Sequence, residues 1–205
     1  LMLHGDRDVV LLNSDTEVNG NWLDRLRGAA YGDWRVGTVT PFSNDAEICS
    51  YPHICRRNAL PSDGRLDRLD TLFARANQRQ TFTLPTGVGF CMYTRRSCLD
   101  EVGIFDLERF GRGYGEENDL CMRARRAGWR NVLAADVFVY HAGGSSFGAE
   151  KAARVQKAVQ QVAASHPTYL RDVDEWIGAD PVFAARRRVD LLRMDDPRPA
   201  VLLVS

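Results

Sequence analysis

An α/β fold is what the sequence predicts, and three adjacent stretches carry that prediction. The run "DVVLLNSDTEV", residues 8 to 18, begins apolar and turns polar at Asn13, Ser14, Asp15, Thr16 and Glu17, as a buried strand does where it reaches a surface. Residues 19–30 place Trp22, Leu23, Leu26 and Ala30 on one helical stripe, behind a polar residue able to cap it. "VGTVTP", residues 36 to 41, is β-branched at Val36, Thr38, Val39 and Thr40 and is expected to halt at Pro41. Strand, helix, strand in that order predicts a parallel crossover unit.

The later elements follow from the same periodicities. Residues 41–64, rich in Pro, Ser, Asn, Asp and Gly with no sustained period, are expected to form a long surface loop of the kind that often carries function. A second amphipathic helix is predicted over 65–79, with Leu66, Leu69, Leu72, Phe73 and Ala76 on one side. "GVGFCMYT", residues 87 to 94, reads as a strand with close backbone approach at Gly87 or Gly89. "RRSCLDEVGIFD" then gives a short helix stopped by Gly103. Residues 116–127 form another helix, closed by Gly128 where left-handed backbone is tolerated. "NVLAADVFVYH" supplies a broken strand ending at His141, and 150–165 a helix interrupted by His166 and Pro167. A last helix is predicted over 181–193, and the apolar "DDPRPAVLLVS" reads as a linker leading into a new domain. The expected division is a core over 1–148, a helical tail over 149–195, and a linker with the start of a next domain over 196–205. With one strand at its start and an apolar stretch at its end, the chain is expected to be a segment of a longer polypeptide.

Composition narrows the partners. Twenty-seven basic and 27 acidic side chains cancel, so no overall positive field exists to collect nucleic acid. No apolar run approaches the roughly 18 residues that span a bilayer, and the start lacks the pattern of a signal peptide. The expected setting is cytoplasmic, peripheral at the inner membrane only through the parent protein. The five cysteines are odd in number and show no CxxC spacing, which fits reduced thiols better than a zinc site around Cys49, His53 and Cys55.

Three stretches could carry chemistry. Asp15 falls at the carboxyl end of the first strand, where ligands bind in open α/β sheets. Its carboxylate either caps the following turn or donates to Mg²⁺ or Mn²⁺. In "GRGYGEENDLCMRARRAGW", residues 111 to 129, Glu116, Glu117 and Asp119 crowd the first turn of a helix. They either satisfy the helix dipole, or one of them takes a proton from an attacking hydroxyl. In "VYHAGGSSFG", residues 139 to 148, His141 precedes two glycines and two serines. It is either a packed residue or a ligand facing a phosphate.

Taken in order, these blocks resemble the inverting family 2 glycosyltransferases of GT-A fold, a Rossmann-related mixed sheet flanked by helices. "LLNSD" resembles the family's metal-binding D-x-D motif, with Asn13 in place of the first Asp. "GVGFCMYTRRSCLDEVGIFD" resembles the acceptor-side strand and helix. "GEENDLCMRARRAGW" resembles the helix whose second acid is the base, with Glu117 where Asp is commoner. "VYHAGGSSFG" resembles the segment whose His joins the metal or diphosphate.

The resemblance covers about 8–148. It implies that the strands holding the nucleotide would precede Leu1, so the fold is expected to be truncated at its N-terminal side. It also implies sugar transfer with inversion, from a nucleoside diphosphate sugar to a carbohydrate or lipid-linked acceptor, in bacterial surface polysaccharide synthesis. Glu117 would be the base. Glu116, Asp119, Gly87 and Trp129 would lie on the acceptor or sugar side, with Glu116 and Asp119 either orienting the acceptor or holding the helix start. Asp15, His141 and Asn13 would hold the diphosphate through a divalent cation, Mg²⁺ or Mn²⁺. Alternative readings are a nucleotidyltransferase and a non-catalytic binding module, with a glycoside hydrolase a more distant one. A sheet lacking its leading strands would expose an edge, so a homodimer of the fragment is also expected.

Overall fold

The structure, a computed structural model, describes residues 4–59, 66–110, 114–143 and 148–194. Its elements in chain order are β1 (Val9–Leu12), β2 (Thr16–Glu17), α1 (Trp22–Tyr31), β3 (Val36–Phe42), α2 (Leu66–Ala76), β4 (Thr81–Leu84) and β5 (Cys91–Thr94). They continue with α3 (Arg96–Val102), α4 (Leu107–Phe110), α5 (Glu116–Arg126), β6 (Arg130–Phe138), β7 (Tyr140–His141), α6 (Gly148–Ser165), α7 (Tyr169–Ala179) and α8 (Phe183–Met194). The five-stranded sheet has the order β1-β5-β3-β6-β4, and β2 pairs with β7 in a separate ribbon. The expected α/β class, a mixed sheet between helices, is what the chain adopts.

The alternation of side chains along the strands sorts the core into two layers. On one face Val10, Cys91, Tyr93, Val36 and Val39 join Leu26 and Ala30 of α1 and Leu69 and Phe73 of α2. On the other, Val9, Leu11 and Met92 meet Leu99 of α3 and Leu120 and Cys121 of α5. A strand of period two can only serve both layers if it is covered on both sides. Covering the sheet in this way buries β3 along its whole length and β6 almost so. Phe73 is the hub of the α2 layer, with its ring centroid 5.3 Å from Phe42, 5.1 Å from Phe138 and 5.0 Å from Tyr51. Each such fully buried ring contributes about 2–3 kcal/mol by area.

Three expectations are corrected. The crossover α1 does join strands running in the same direction, but they are not neighbours: β5 lies between β1 and β3, antiparallel to both, while β3 pairs in parallel with β6. Pro41 does not end β3, which runs on to Phe42; the proline sits at a register shift, where a missing N–H leaves no gap in the ladder. The segment after Phe42 does not lie over the surface either. Ala46, Ile48, Cys49 and Tyr51 are buried around a single 3-10 turn, Glu47–Cys49. Such a loop can be buried because its polar backbone is paired internally: Ser43 N donates to Cys49 O, Tyr51 N to Ser43 O and Asn58 N to Asn44 O.

The tail helices join the same core. Trp176 of α7 and Ala185 and Val189 of α8 belong to the apolar cluster of the α2 layer, and the Trp176 indole N–H donates to Thr83 O of β4 at 2.9 Å. The linker and further-domain segment expected over 196–205 lies outside the described residues.

Candidate active site

The corner at the carboxyl end of β1 is built by the short ribbon. Pairing of Thr16 with His141 and of Glu17 with Tyr140 lays β7 against the residues that follow β1. The turn between β1 and β2 is fixed by Thr16, whose N–H and hydroxyl both donate to Asn13 O, at 3.3 and 2.6 Å. Ala142 N donates to Asp15 O at 2.9 Å. These backbone ties bring the three predicted ligands together: His141 Nε2 lies 3.4 Å from Asp15 Oδ1 and 3.4 Å from Asn13 Nδ2.

The imidazole is held from behind. Its Nδ1 lies 2.7 Å from Asp45 O, an acceptor only, so Nδ1 donates there and Nε2 is the atom that faces Asp15 and Asn13. Asn44 clamps the same residue's backbone, donating to His141 O at 2.8 Å and accepting from His141 N at 2.8 Å. Phe90 stacks on the ring at 5.3 Å between centroids. None of Asn44, Asp45 and Phe90 was singled out in the sequence. The only signal for the first two was that they fall in a long segment of irregular composition, flagged for function by its length.

Glu117 stands in the first turn of α5, two residues after Gly115, whose φ of +92° suits glycine and whose missing side chain leaves room for Phe110 and Ala158. Residues 86–90 link this helix to the Asp15 corner. Asn118 Nδ2 donates to Thr86 Oγ1 at 2.9 Å, a Cβ added to Gly89 would sit 3.3 Å from Glu117 Cγ, and Phe90 O accepts from Asn13 N at 2.8 Å. Glu117 keeps partial access to solvent, yet burial pushes its carboxyl up to about 7, with the Glu116 carboxylate adding to the effect.

The other predicted positions are placed differently. Asp119 is buried, and both of its oxygens are engaged: Oδ1 with His166 Nε2 at 2.8 Å and Oδ2 with Arg123 Nε at 2.7 Å. It anchors α5 to the end of α6, the helix-holding alternative of the two roles expected for it. Glu116 precedes Glu117 and is half-buried. Gly87 is packed inside the fold, where an added Cβ would meet Met92 Sδ at 2.7 Å and Thr40 Oγ1 at 3.0 Å; of the two glycines, Gly89 faces the acid. Trp129 lies beyond the far end of α5, about 15 Å of helix away. There its indole donates to Glu101 at 2.8 Å, away from Glu117 and the Asp15 corner.

A divalent cation fits this corner only as a shared guest. The Asp15 carboxylate is an oxygen donor suited to Mg²⁺ or Mn²⁺, whereas the imidazole is a softer ligand and Asn13 turns its amide nitrogen, not its oxygen, toward His141. Among the described residues, however, no group of three or more His, Cys, Asp or Glu side chains could hold a metal. An ion at Asp15 therefore needs oxygens from a bound substrate to complete its shell.

The sequence profile described as "Glycosyltransferase like family 2" matches residues 10–164. The chain belongs to that family. It is also 29% identical over 157 residues, 72% of this chain and 50% of the relative, to N-acetylglucosaminyl-diphospho-decaprenol L-rhamnosyltransferases of two Mycobacterium tuberculosis strains, CDC 1551 / Oshkosh and ATCC 25618 / H37Rv. The chain thus spans about half the length of these curated relatives. The match covers every element from β1 into α6, so the Asp15 corner, the 86–90 segment and α5 all lie inside the family region. Among the described residues no helix is long and apolar enough to cross a membrane.

Proposed function

We propose that this family 2 glycosyltransferase moves a sugar from a nucleoside diphosphate donor to an acceptor hydroxyl, with inversion at the anomeric carbon. One observation carries the reading: residues 86–90 touch both the Asn13–Asp15–His141 corner and Glu117. A leaving diphosphate and an attacking hydroxyl need two such neighbouring stations. Glu117 accepts the acceptor's proton, and a carboxyl whose affinity for protons is raised by burial is suited to do so near neutral pH. Asp15, His141 and Asn13 would hold a divalent cation together with diphosphate oxygens; such an ion supplies charge neutralisation for the leaving group. The Asp45 carbonyl orients the His141 ring, the Asn44 side chain holds that residue's backbone, and Phe90 covers one face of the ring.

The relatives are named for an acceptor in which a sugar is joined through a diphosphate to a polyprenol. A carbohydrate on a lipid diphosphate is accordingly the acceptor class we propose, with a place in bacterial surface polysaccharide synthesis. That substrate calls for a cytoplasmic enzyme working at the face of the inner membrane. The test is a panel of nucleoside diphosphate sugars with a lipid-diphosphate acceptor, monitoring release of nucleoside diphosphate and the anomeric configuration of the product. Retained configuration would overturn the single-displacement reading, and pyrophosphate release would point to nucleotidyl transfer instead.

A further inference from the structure

Arg57 stands at the Asp15 corner without a part in the chemistry described so far. Its Nη2 donates to Ala142 O at 2.6 Å, and Ala142 N in turn donates to Asp15 O at 2.9 Å. The guanidinium is therefore tied to the residue that follows His141 and pairs with Asp15. Its Nε lies 3.8 Å from Asp45 Oδ2, on the residue whose carbonyl fixes the His141 ring. At 3.8 Å that contact is an ion pair but not a hydrogen bond.

The root of the side chain is rigid while its head is open. Asn58, next in sequence, is buried, and its side-chain amide donates to Asn44 O at 3.3 Å, His53 O at 2.9 Å and Arg56 O at 2.9 Å. The Arg57 side chain itself remains 60% exposed. Gly143, at φ +63°, passes so close to Asp45 that any Cβ would collide with its Oδ2, and that Cβ would lie 3.5 Å from Arg57 Cζ. A larger residue there would displace the Asp45 carboxylate.

As a mere surface ion pair, Arg57–Asp45 would be worth about 0–1 kcal/mol. That reading does not account for the anchor on Ala142, which aims the cation at the corner rather than at its acid. A guanidinium carries five N–H donors in a fork that matches phosphate oxygens, and a single short bond engages one of them here.

We propose that Arg57 binds the diphosphate of the donor, its free N–H groups donating to phosphate oxygens at the Asp15 corner and countering the charge left when the sugar departs. The assignment rests on the reading of this corner as the diphosphate station.

The experiment titrates the 205-residue chain with inorganic pyrophosphate in the presence of Mn²⁺ by calorimetry, comparing the wild type with Arg57→Gln, Arg57→Lys and Asp15→Asn. Loss of charge-assisted hydrogen bonds predicts about 10- to 100-fold weaker binding for Arg57→Gln. Arg57→Lys keeps the charge but not the fork and is expected to lose about 3- to 10-fold. Thermal melting without ligand accompanies each titration, and if Arg57→Gln is unfolded the lysine variant carries the comparison. Binding by a folded Arg57→Gln, or failing that by Arg57→Lys, equal to wild type while Asp15→Asn is weakened would overturn the role of Arg57 and leave the corner's assignment standing. Absence of saturable binding by the wild type would overturn both.

Discussion

Replacing Glu117 by glutamine should make the protein more stable and less active, and the gain in stability should depend on pH. Burial lifts the Glu117 carboxyl from an ordinary 4.5 to about 7 in the folded chain. Because the folded affinity for the proton is the higher one, the folded state holds a proton the unfolded chain has already released between those values. Stability from this group is thus complete below about pH 4.5 and falls as pH rises toward 7, levelling off above it. At 1.36 kcal/mol per pKa unit, the charged wild type at about pH 8 is penalised by roughly 3 kcal/mol, and at about pH 5 by less than 1. Glutamine has no proton to lose, so Glu117→Gln should gain about 2 kcal/mol on the wild type between those two conditions. Urea denaturation of both proteins at each pH measures the difference. Catalysis moves the other way: loss of a general base costs about 10² to 10⁴ in kcat, and wild-type kcat/KM should climb with pH through about 7. A stability difference unchanged by pH would show that the carboxyl is not buried as described. Undiminished turnover in the glutamine variant would reassign the base.

Four further outcomes are expected. Asp15→Asn should lower activity at least about 10-fold at limiting divalent cation, with part of the loss restored as Mn²⁺ is raised, since it removes the one formal charge among three donors; activity that survives complete chelation would refute the metal. Gly89→Ala should reduce kcat with little change in melting temperature, because its Cβ presses only on the Glu117 side chain, whereas Gly87→Ala should destabilise by about 1–3 kcal/mol through contact with Met92 and Thr40; equal effects on stability would contradict the placement of the two glycines. His166→Ala should cost about 1–3 kcal/mol in chemical denaturation, as Asp119 would be left buried with Arg123 alone; no loss would mean that α6 is not anchored there. The outer edge of β1, which pairs only with β5 among the described residues, should support self-association; a strictly monomeric particle in sedimentation at tens of micromolar would exclude it.

Much of the fold was legible because strand and helix periods are local. β1, α1, β3, α2, α5, β6 and α8 all fall where the apolar patterns put them. What the sequence could not show is which strand lies beside which. β5 carries no mark in Cys91–Thr94 that it runs antiparallel between β1 and β3; that order is set by the α3 and α5 layer closing over Met92. β4 escaped notice because it is a four-residue edge strand with alternating exposure, and Thr81–Leu84 reads equally well as a link between α2 and the glycine segment. α7 was missed behind Pro167, where a chain break in the pattern hid a helix whose buried faces are Tyr169 and Trp176.

The candidate site divides along α5, and the division has a physical cause. In Glu116–Glu117–Asn118–Asp119 all four side chains are polar, so no apolar stripe marks which of them faces the 86–90 segment. Successive residues of a helix point about 100° apart, so residues two apart face nearly opposite ways. Asn118 takes the 86–90 segment, Asp119 takes the interior with His166 and Arg123, and Glu117 is left beside Gly89. The two neighbouring polar bonds thereby fix the rotation of the helix, and with it the direction of the acid. Loss of the Asp119–His166 bond should consequently lower kcat as well as stability. If His166→Ala melts earlier yet turns over at the wild-type rate below its melting range, the direction of Glu117 is set by the 86–90 segment alone.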